Sequence, residues 1–325
     1  MKAVQIFNLT LDQMAMMFFL IIVGILLRAK KIVPENADAA VSRLLTYVFT
    51  PALTLYNQVT ECTWQKLVEN SSLILYGLII TLCAIAAAYP LSYLFVSKDQ
   101  KSDKMAYRRN VYRYAMAFGN FGFVGNFIVL GVWGNEAFFK YSLFTFTMSI
   151  ATASWGMYVL IPKERNAGII SNLKRGLITP PMIALVLGMA IALLNLQRYV
   201  PDFMVRAFES AGKCQGPAAM LLAGIVIGGY DFRELFNNVH VYILTVLRLI
   251  VIPVIILLVL RIIGASETHM IMALVGFAAP IGLNTVVYPA AYGGETKTGA
   301  SMAMISHALC VFTIPLMYLV FIEMM

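Results

Sequence analysis

Between Glu69 and Lys98 run 28 residues without a single Asp, Glu, Lys, Arg or His. A helix needs about 20 apolar residues, within a range of roughly 17–25, to cross the ~30 Å hydrocarbon core of a bilayer. A run of this length has lipid as its natural solvent. There the backbone must satisfy its own hydrogen bonds within the segment. The rest of the chain agrees: 60% of its 325 residues are hydrophobic and 12% are charged, about half the charged fraction of a soluble chain. The composition excludes a disordered protein and argues against a soluble enzyme or a nucleic-acid binder.

Charges and turn residues cut the chain into ten candidate spans, at 12–27, 41–60, 71–96, 113–133, 141–161, 176–196, 214–230, 240–263, 268–291 and 299–322. Connections near 97–112 and 197–213 are the longest. Cations follow the first apolar run (Arg28, Lys30, Lys31) and no small-residue cleavage pattern appears, so the sequence predicts a retained first span. Ten spans place both termini on one side of the membrane. With the termini outside, sixteen loop cations fall on the cytoplasmic side and seven outside, which is the orientation that positive loops select. The formal charge of +8 is therefore mainly a topology signal. Cys62, Cys83, Cys214 and Cys310 sit in or beside apolar stretches at no ligand-like spacing and read as free thiols; no metal site is expected.

Features recur in order across the two halves. Gly24, Pro34 and Pro51-Ala52 are followed by Pro90, and Gly188, Pro201 and Pro217-Ala218 by Pro253. Spans four and nine each carry an Asn, an aromatic-Gly pair and an acid: Asn126, Trp133-Gly134 and Glu136 against Asn284, Tyr292-Gly293 and Glu295. An odd number of spans per repeat inverts the second half relative to the first, the plan of many secondary transporters. The expected fold is an all-α membrane protein of ten transmembrane helices, divided into inverted five-helix repeats at 1–165 and 166–325. Chance recurrence of Gly and Pro, common in membrane helices, is the alternative.

No Gly-x-Ser-x-Gly, His-Glu-x-x-His, Walker loop or dinucleotide fingerprint occurs, which argues against an enzyme or an ATP-driven pump. Ser306 and His307 are adjacent on one helix and do not face each other. Span four holds Gly119, Asn120, Gly122, Gly125 and Asn126, and span nine holds Gly276, Pro280, Gly282, Asn284 and Pro289. Both are poor helix material. Two interrupted helices at matching places point to a site at mid-membrane, where half-helix amino termini and the Asn126 and Asn284 amides would face a bound anion. Close helix packing through small residues is the other reading. Arg248 is the one charged residue well inside a span. Such a charge is expensive and by default functional: it can attract a carboxylate, hold a carbonyl at a helix break, or cap a helix end. His307 is the deeply placed group able to titrate near neutral pH, either coupling a proton to transport or serving as a satisfied buried imidazole. All acidic residues fall in loops or at span ends, which disfavours a cation pump. Sodium held by backbone carbonyls stays open, as does the oligomeric state, a homodimer included.

These residues resemble the auxin efflux carrier family of membrane transporters, especially its bacterial members. The resemblance covers nearly the whole chain: Pro51-Ala52-Leu53 within Leu44–Leu55, Phe118-Gly119-Asn120 through Gly125, Thr179-Pro180-Pro181, Gly216-Pro217-Ala218, Arg248 followed by Pro253, Ala279-Pro280 with Asn284, and Thr313-Ile314-Pro315-Leu316. It implies that helices four and nine cross as broken helices at Gly119, Gly122, Gly125, Pro280, Gly282 and Pro289. It also implies a scaffold of helices one, two, six and seven, and a moving transport domain made of three to five and eight to ten. Family members commonly carry Pro soon after the Gly of span four, where this chain has Asn126. The implied activity is secondary transport, in the cell membrane and without cofactor, of a small organic anion such as an auxin-like monocarboxylate or a malate- or malonate-like dicarboxylate. By matching position, Asn126 and Asn284 lead as substrate contacts, Asn120 follows, and Arg248 adds positive potential. A membrane receptor that binds a ligand without net transport is the alternative.

Overall fold

The computed structural model describes residues 2–98 and 102–322, so Lys101 of the cationic third-to-fourth connection lies outside the described residues. Among the described residues the chain is helical, with no named strand. In order the helices are α1 (Lys2–Ala29), α2 (Ala37–Leu44), α3 (Thr50–Glu61), α4 (Trp64–Glu69), α5 (Ser72–Leu91), α6 (Asp103–Ala117), α7 (Asn126–Ala151), α8 (Met157–Leu160) and α9 (Ile169–Leu177). There follow α10 (Pro180–Leu193), α11 (Asp202–Lys213), α12 (Gln215–Ile227), α13 (Phe232–Phe236), α14 (Val239–Val246), α15 (Ile252–Ile262), α16 (Glu267–Ala278), α17 (Asn284–Tyr292) and α18 (Lys297–Ile322). Widened π-turns at Leu45–Phe49, Phe121–Gly125, Thr152–Gly156 and Leu247–Val251 join or open several of them.

Local chemistry accounts for many boundaries. Thr63 caps α4 by accepting from the Lys66 N–H at 3.2 Å, and Asp231 and Asn238 do the same for α13 and α14. Two π-turns directly precede a proline at the second residue of a helix, Pro51 in α3 and Pro253 in α15. A proline removes one N–H and crowds the preceding turn, and the extra residue of a π-turn relieves both effects.

Among the described residues five helices are long and apolar enough to cross a membrane: Val4–Ala29, Trp64–Leu94, Phe121–Leu160, Val239–Ile262 and Lys297–Phe321. The pair α9 and α10, bent by 50°, makes a sixth if read as one span. The 40-residue stretch Phe121–Leu160 is not one rod, because Gly134 leaves helical geometry at φ 75° and ψ −164°. The other expected spans are shorter or interrupted helices. Two connections differ from expectation. Residues 103–112 open α6 and 202–213 form α11, both helical; the latter pairs an apolar face with a charged one and so reads as a loop in hydropathy alone. The first helix also begins well before residue 12, so Asp12 lies within α1 and not at its start.

Around an apolar core the outer surface is itself apolar, and several polar side chains are buried. Phe19, Ile170, Val186, Ile255 and Phe312 are exposed, whereas Asn57, Gln58, Gln215, Arg248, Ser306 and His307 are buried. α1 packs along α12 where Gly24 and Gly224 meet, a Cβ on Gly24 falling 3.0 Å from the Gly224 Cα. α3 lies against α10 and α11, and α5 against α7, while α18 runs between α1 and the α14–α16 group.

Candidate functional site

α6 stops at Ala117 and the chain runs extended through Phe118 before helix resumes. α16 likewise stops at Ala278, and residues 279–283 are not helical. The two breaks meet. Gly119 pairs antiparallel with Ile281, and the Asn120 N–H donates to the Pro280 carbonyl at 2.6 Å. The Ile281 N–H donates to Ser306 Oγ at 2.9 Å, which ties the crossing to α18. Interrupted backbone is tolerated at membrane depth only where protein surrounds it and supplies partners, and these bonds supply them. Gly119 is required by close approach: a Cβ there would lie 2.6 Å from both the Ala279 carbonyl and Arg248 Nη2. Gly282 packs back, its Cβ direction 3.2 Å from the Gly119 carbonyl, while Gly125 faces Tyr141 and Pro289 lies inside α17.

Asn284 is the first residue of the helix after its break, whereas Asn126 follows the π-turn Phe121–Gly125 in which helix has already resumed. Each helix then reaches a glycine with positive φ, 75° at Gly134 and 71° at Gly293. Their surroundings differ. Asn126 lines a cavity of about 180 Å³ between α3, the start of α7, its continuation toward residue 153, and α9–α10. Thr50, Thr54, Ser142, Thr145, Ser149 and Thr179 contribute hydroxyls to the same cavity, and Gly122 forms part of its wall. Asn284 does not line it; its Nδ2 donates to the Tyr114 hydroxyl at 2.9 Å.

Arg248 sits in the π-turn of α14–α15 and is fully buried. Its Nη1 donates at 3.4 Å to the Met116 carbonyl near the end of α6, and its guanidinium lies 5.4 Å from the Phe277 ring centre. Nε and Nη2 have no hydrogen-bond partner among the described residues. Arg248 is thus behind the crossing strand, against Gly119, and does not line the Asn126 cavity. From there it contributes positive potential in a low-dielectric setting, where charge acts over longer distance than in water.

Asn120 and His307 are brought together. His307 Nδ1 lies 2.7 Å from the Ala303 carbonyl, which can only accept, so that nitrogen carries the proton. Nε2 is left as an acceptor for Asn120 Nδ2 at 3.3 Å. The pair, both buried, braces the crossing from α18. No group of three or more His, Cys, Asp or Glu able to hold a metal occurs among the described residues.

Three buried amides grip the 122–142 segment and were not singled out in the sequence. Asn57 Nδ2 donates to the Asn135 carbonyl at 2.8 Å, Gln58 Nε2 to Ser142 Oγ at 3.0 Å, and Gln215 Nε2 to the Gly122 carbonyl at 3.1 Å. Each reaches from α3 or α12 onto the segment 122–142. The oxygens Asn57 Oδ1, Gln58 Oε1 and Gln215 Oε1 are buried with no partner among the described residues. The available signal was an amide pair, Asn57-Gln58, within span two and an amide beside Gly216-Pro217 in span seven. On the exposed end of α11, Lys213 pairs with Glu209 at 2.7 Å, and the adjacent carboxylate pushes its ammonium pKa up.

Comparison with known proteins gives this geometry its place. The family model described as membrane transport protein matches residues 9–318. An uncharacterized transporter of Methanocaldococcus jannaschii is 22% identical over 313 residues, covering 94% of this chain and 97% of that protein. With a multi-pass apolar helical body and a family match that spans almost its whole length, the chain belongs to the membrane transport protein family, the auxin efflux carrier family of membrane transporters.

Proposed function

We propose that this transporter carries a small organic anion across the cell membrane by alternating access, with the site at the crossing of the two broken helices. The observation that carries the reading is Arg248: a fully buried guanidinium with two N–H groups unpartnered, packed against the crossing glycine Gly119. A buried unpaired cation costs several kcal/mol, and an anion held in the neighbouring cavity offsets part of that cost through its field, without contact. Asn126 and the hydroxyls around it bind the substrate directly in the 180 Å³ cavity, a size suited to a mono- or dicarboxylate of few carbons. Asn284 organises the other side of the crossing through Tyr114.

In this reading the chain has ten spans in two inverted five-helix repeats, 1–165 and 166–325, with both termini outside. The short and interrupted helices α2–α3, α6, α11–α12 and α16–α17 supply the spans beyond the long ones. Helices one, two, six and seven form the scaffold, and the remaining spans move as the transport domain in an elevator-like step. The packing of α1 on α12 and of α3 on α10 supports that grouping. A coupling proton would act through His307.

Flux of labelled mono- and dicarboxylates into proteoliposomes tests the proposal. Saturable uptake that disappears in Asn126→Ala and Asn284→Ala, with both variants still in the membrane, supports the site. Wild-type rates in both overturn it, and binding without flux favours a receptor instead.

A further inference from the structure

A second cavity, of about 400 Å³, lies beside the Asn126 cavity, lined among others by Gln13, Tyr56, Asn135, Glu209, Lys213 and Gln215. The two cavities share a wall. Leu53 and Phe127 line the larger, while their chain neighbours Thr54 and Asn126 line the smaller. Gln215 lines the larger and donates its hydrogen bond to Gly122, which lines the smaller. The Phe127 ring rests directly on Gly216, so that a Cβ at that glycine would overlap it. Two successive residues of α12 thus hold one point on the π-turn Phe121–Gly125 and one on the start of α7.

We propose that Phe127 seated on Gly216, together with the Gln215–Gly122 hydrogen bond, is a gate between the substrate cavity and a wider entry compartment. Each half of the gate is one contact. One aromatic ring and one amide must let go for the compartments to join, and sliding of α7 along α12 breaks both at once. The entry compartment carries Lys213 and Glu209 at its exposed end, where Lys213 meets an arriving carboxylate first. The inference rests on the substrate cavity proposed above and adds its door.

Cysteine accessibility tests the gate in the full-length chain. Cys83 and Cys214, both exposed, are replaced by Ser, leaving the buried Cys62 and Cys310. Tyr56→Cys reports the entry compartment and Thr145→Cys the inner cavity. The probe is an anionic, membrane-impermeant methanethiosulfonate, applied from each side in turn. From the side that modifies Tyr56→Cys, Thr145→Cys reacts at least about tenfold more slowly. Adding Phe127→Ala, or Gly216→Ala as a wedge that displaces the ring, or Gln215→Met, brings Thr145→Cys close to the Tyr56→Cys rate while Cys310 stays unmodified. Equal Thr145→Cys rates with and without these changes overturn the gate, and so does a rise matched at Cys310, which would report general loosening. Carboxylate uptake measured alongside separates the two proposals: uptake indifferent to Asn126→Ala removes the site, whereas indifferent labelling removes the gate.

Discussion

Asn126 and Asn284 lie in the two helices that follow the crossing, yet they do different work: Asn126 faces a hydroxyl-lined cavity, and Asn284 is tied at 2.9 Å to the hydroxyl of Tyr114. The substitution Tyr114→Phe separates them. It removes the acceptor of Asn284 and leaves Asn126 untouched, at a cost of about 1 kcal/mol for a lost buried hydrogen bond. We expect carboxylate uptake several-fold below wild type in Tyr114→Phe and none in Asn126→Ala, read as initial rates in proteoliposomes. Unchanged rates in Tyr114→Phe would show that Asn284 needs no such support.

Gly119 and Gly122 lie three residues apart and should respond differently to one added methyl. At Gly119 the methyl meets the Ala279 carbonyl and Arg248 at 2.6 Å, whereas at Gly122 nothing lies within 4 Å. Overpacking of this kind costs about 1–3 kcal/mol. Gly119→Ala should lower the melting temperature of the purified protein by several degrees. Gly122→Ala should melt as wild type and raise KM, because it narrows the cavity. Equal melting temperatures for the two variants would contradict the crossing geometry.

Arg248 should be dispensable for folding and needed for transport. An ion without its counter-charge is a poor source of stability, and replacing buried ions with apolar side chains of similar size is often neutral or stabilising. Arg248→Met is expected to melt at or above the wild-type temperature while uptake falls more than about tenfold. Retained uptake would remove the arginine from the mechanism.

Proton coupling through His307 has a structural requirement. Once protonated, both ring nitrogens donate, so Asn120 must turn its amide to present an oxygen. Coupling therefore predicts uptake that depends on external pH in wild type and loses that dependence in His307→Gln. The same pH profile in both proteins would leave His307 as a brace between α18 and the crossing.

The crossing was legible because its cause is local: Gly119 beside Asn120, and Pro280 with Gly282, are poor helix material and the breaks fall there, while Gly122 and Gly125 lie in the π-turn where helix resumes. Arg248 was legible for a similar reason, as a charge in an apolar run. The order of its three offered roles was not, since only the fold shows that Met116 supplies the carbonyl and that Gly119 fills the space in front. α11 was hidden because hydropathy averages an apolar and a charged face into a loop-like value. Asn57, Gln58 and Gln215 were hidden because their partners lie 78, 84 and 93 residues away. Nothing in the local pattern separates such an amide from one facing solvent.

Those three amides set the terms on which α3 and α12 grip the 122–142 segment. A carboxamide is two-ended, and here every gripping bond uses the nitrogen end while the oxygen end is idle. An interface built so is not saturated. If the gripped segment is displaced by one helical turn, about 5.4 Å, the idle oxygens can accept new N–H or O–H donors as the old bonds part, and the number of bonds need not fall. The grip of α3 and α12 on this segment thus holds unused acceptors as well as made bonds.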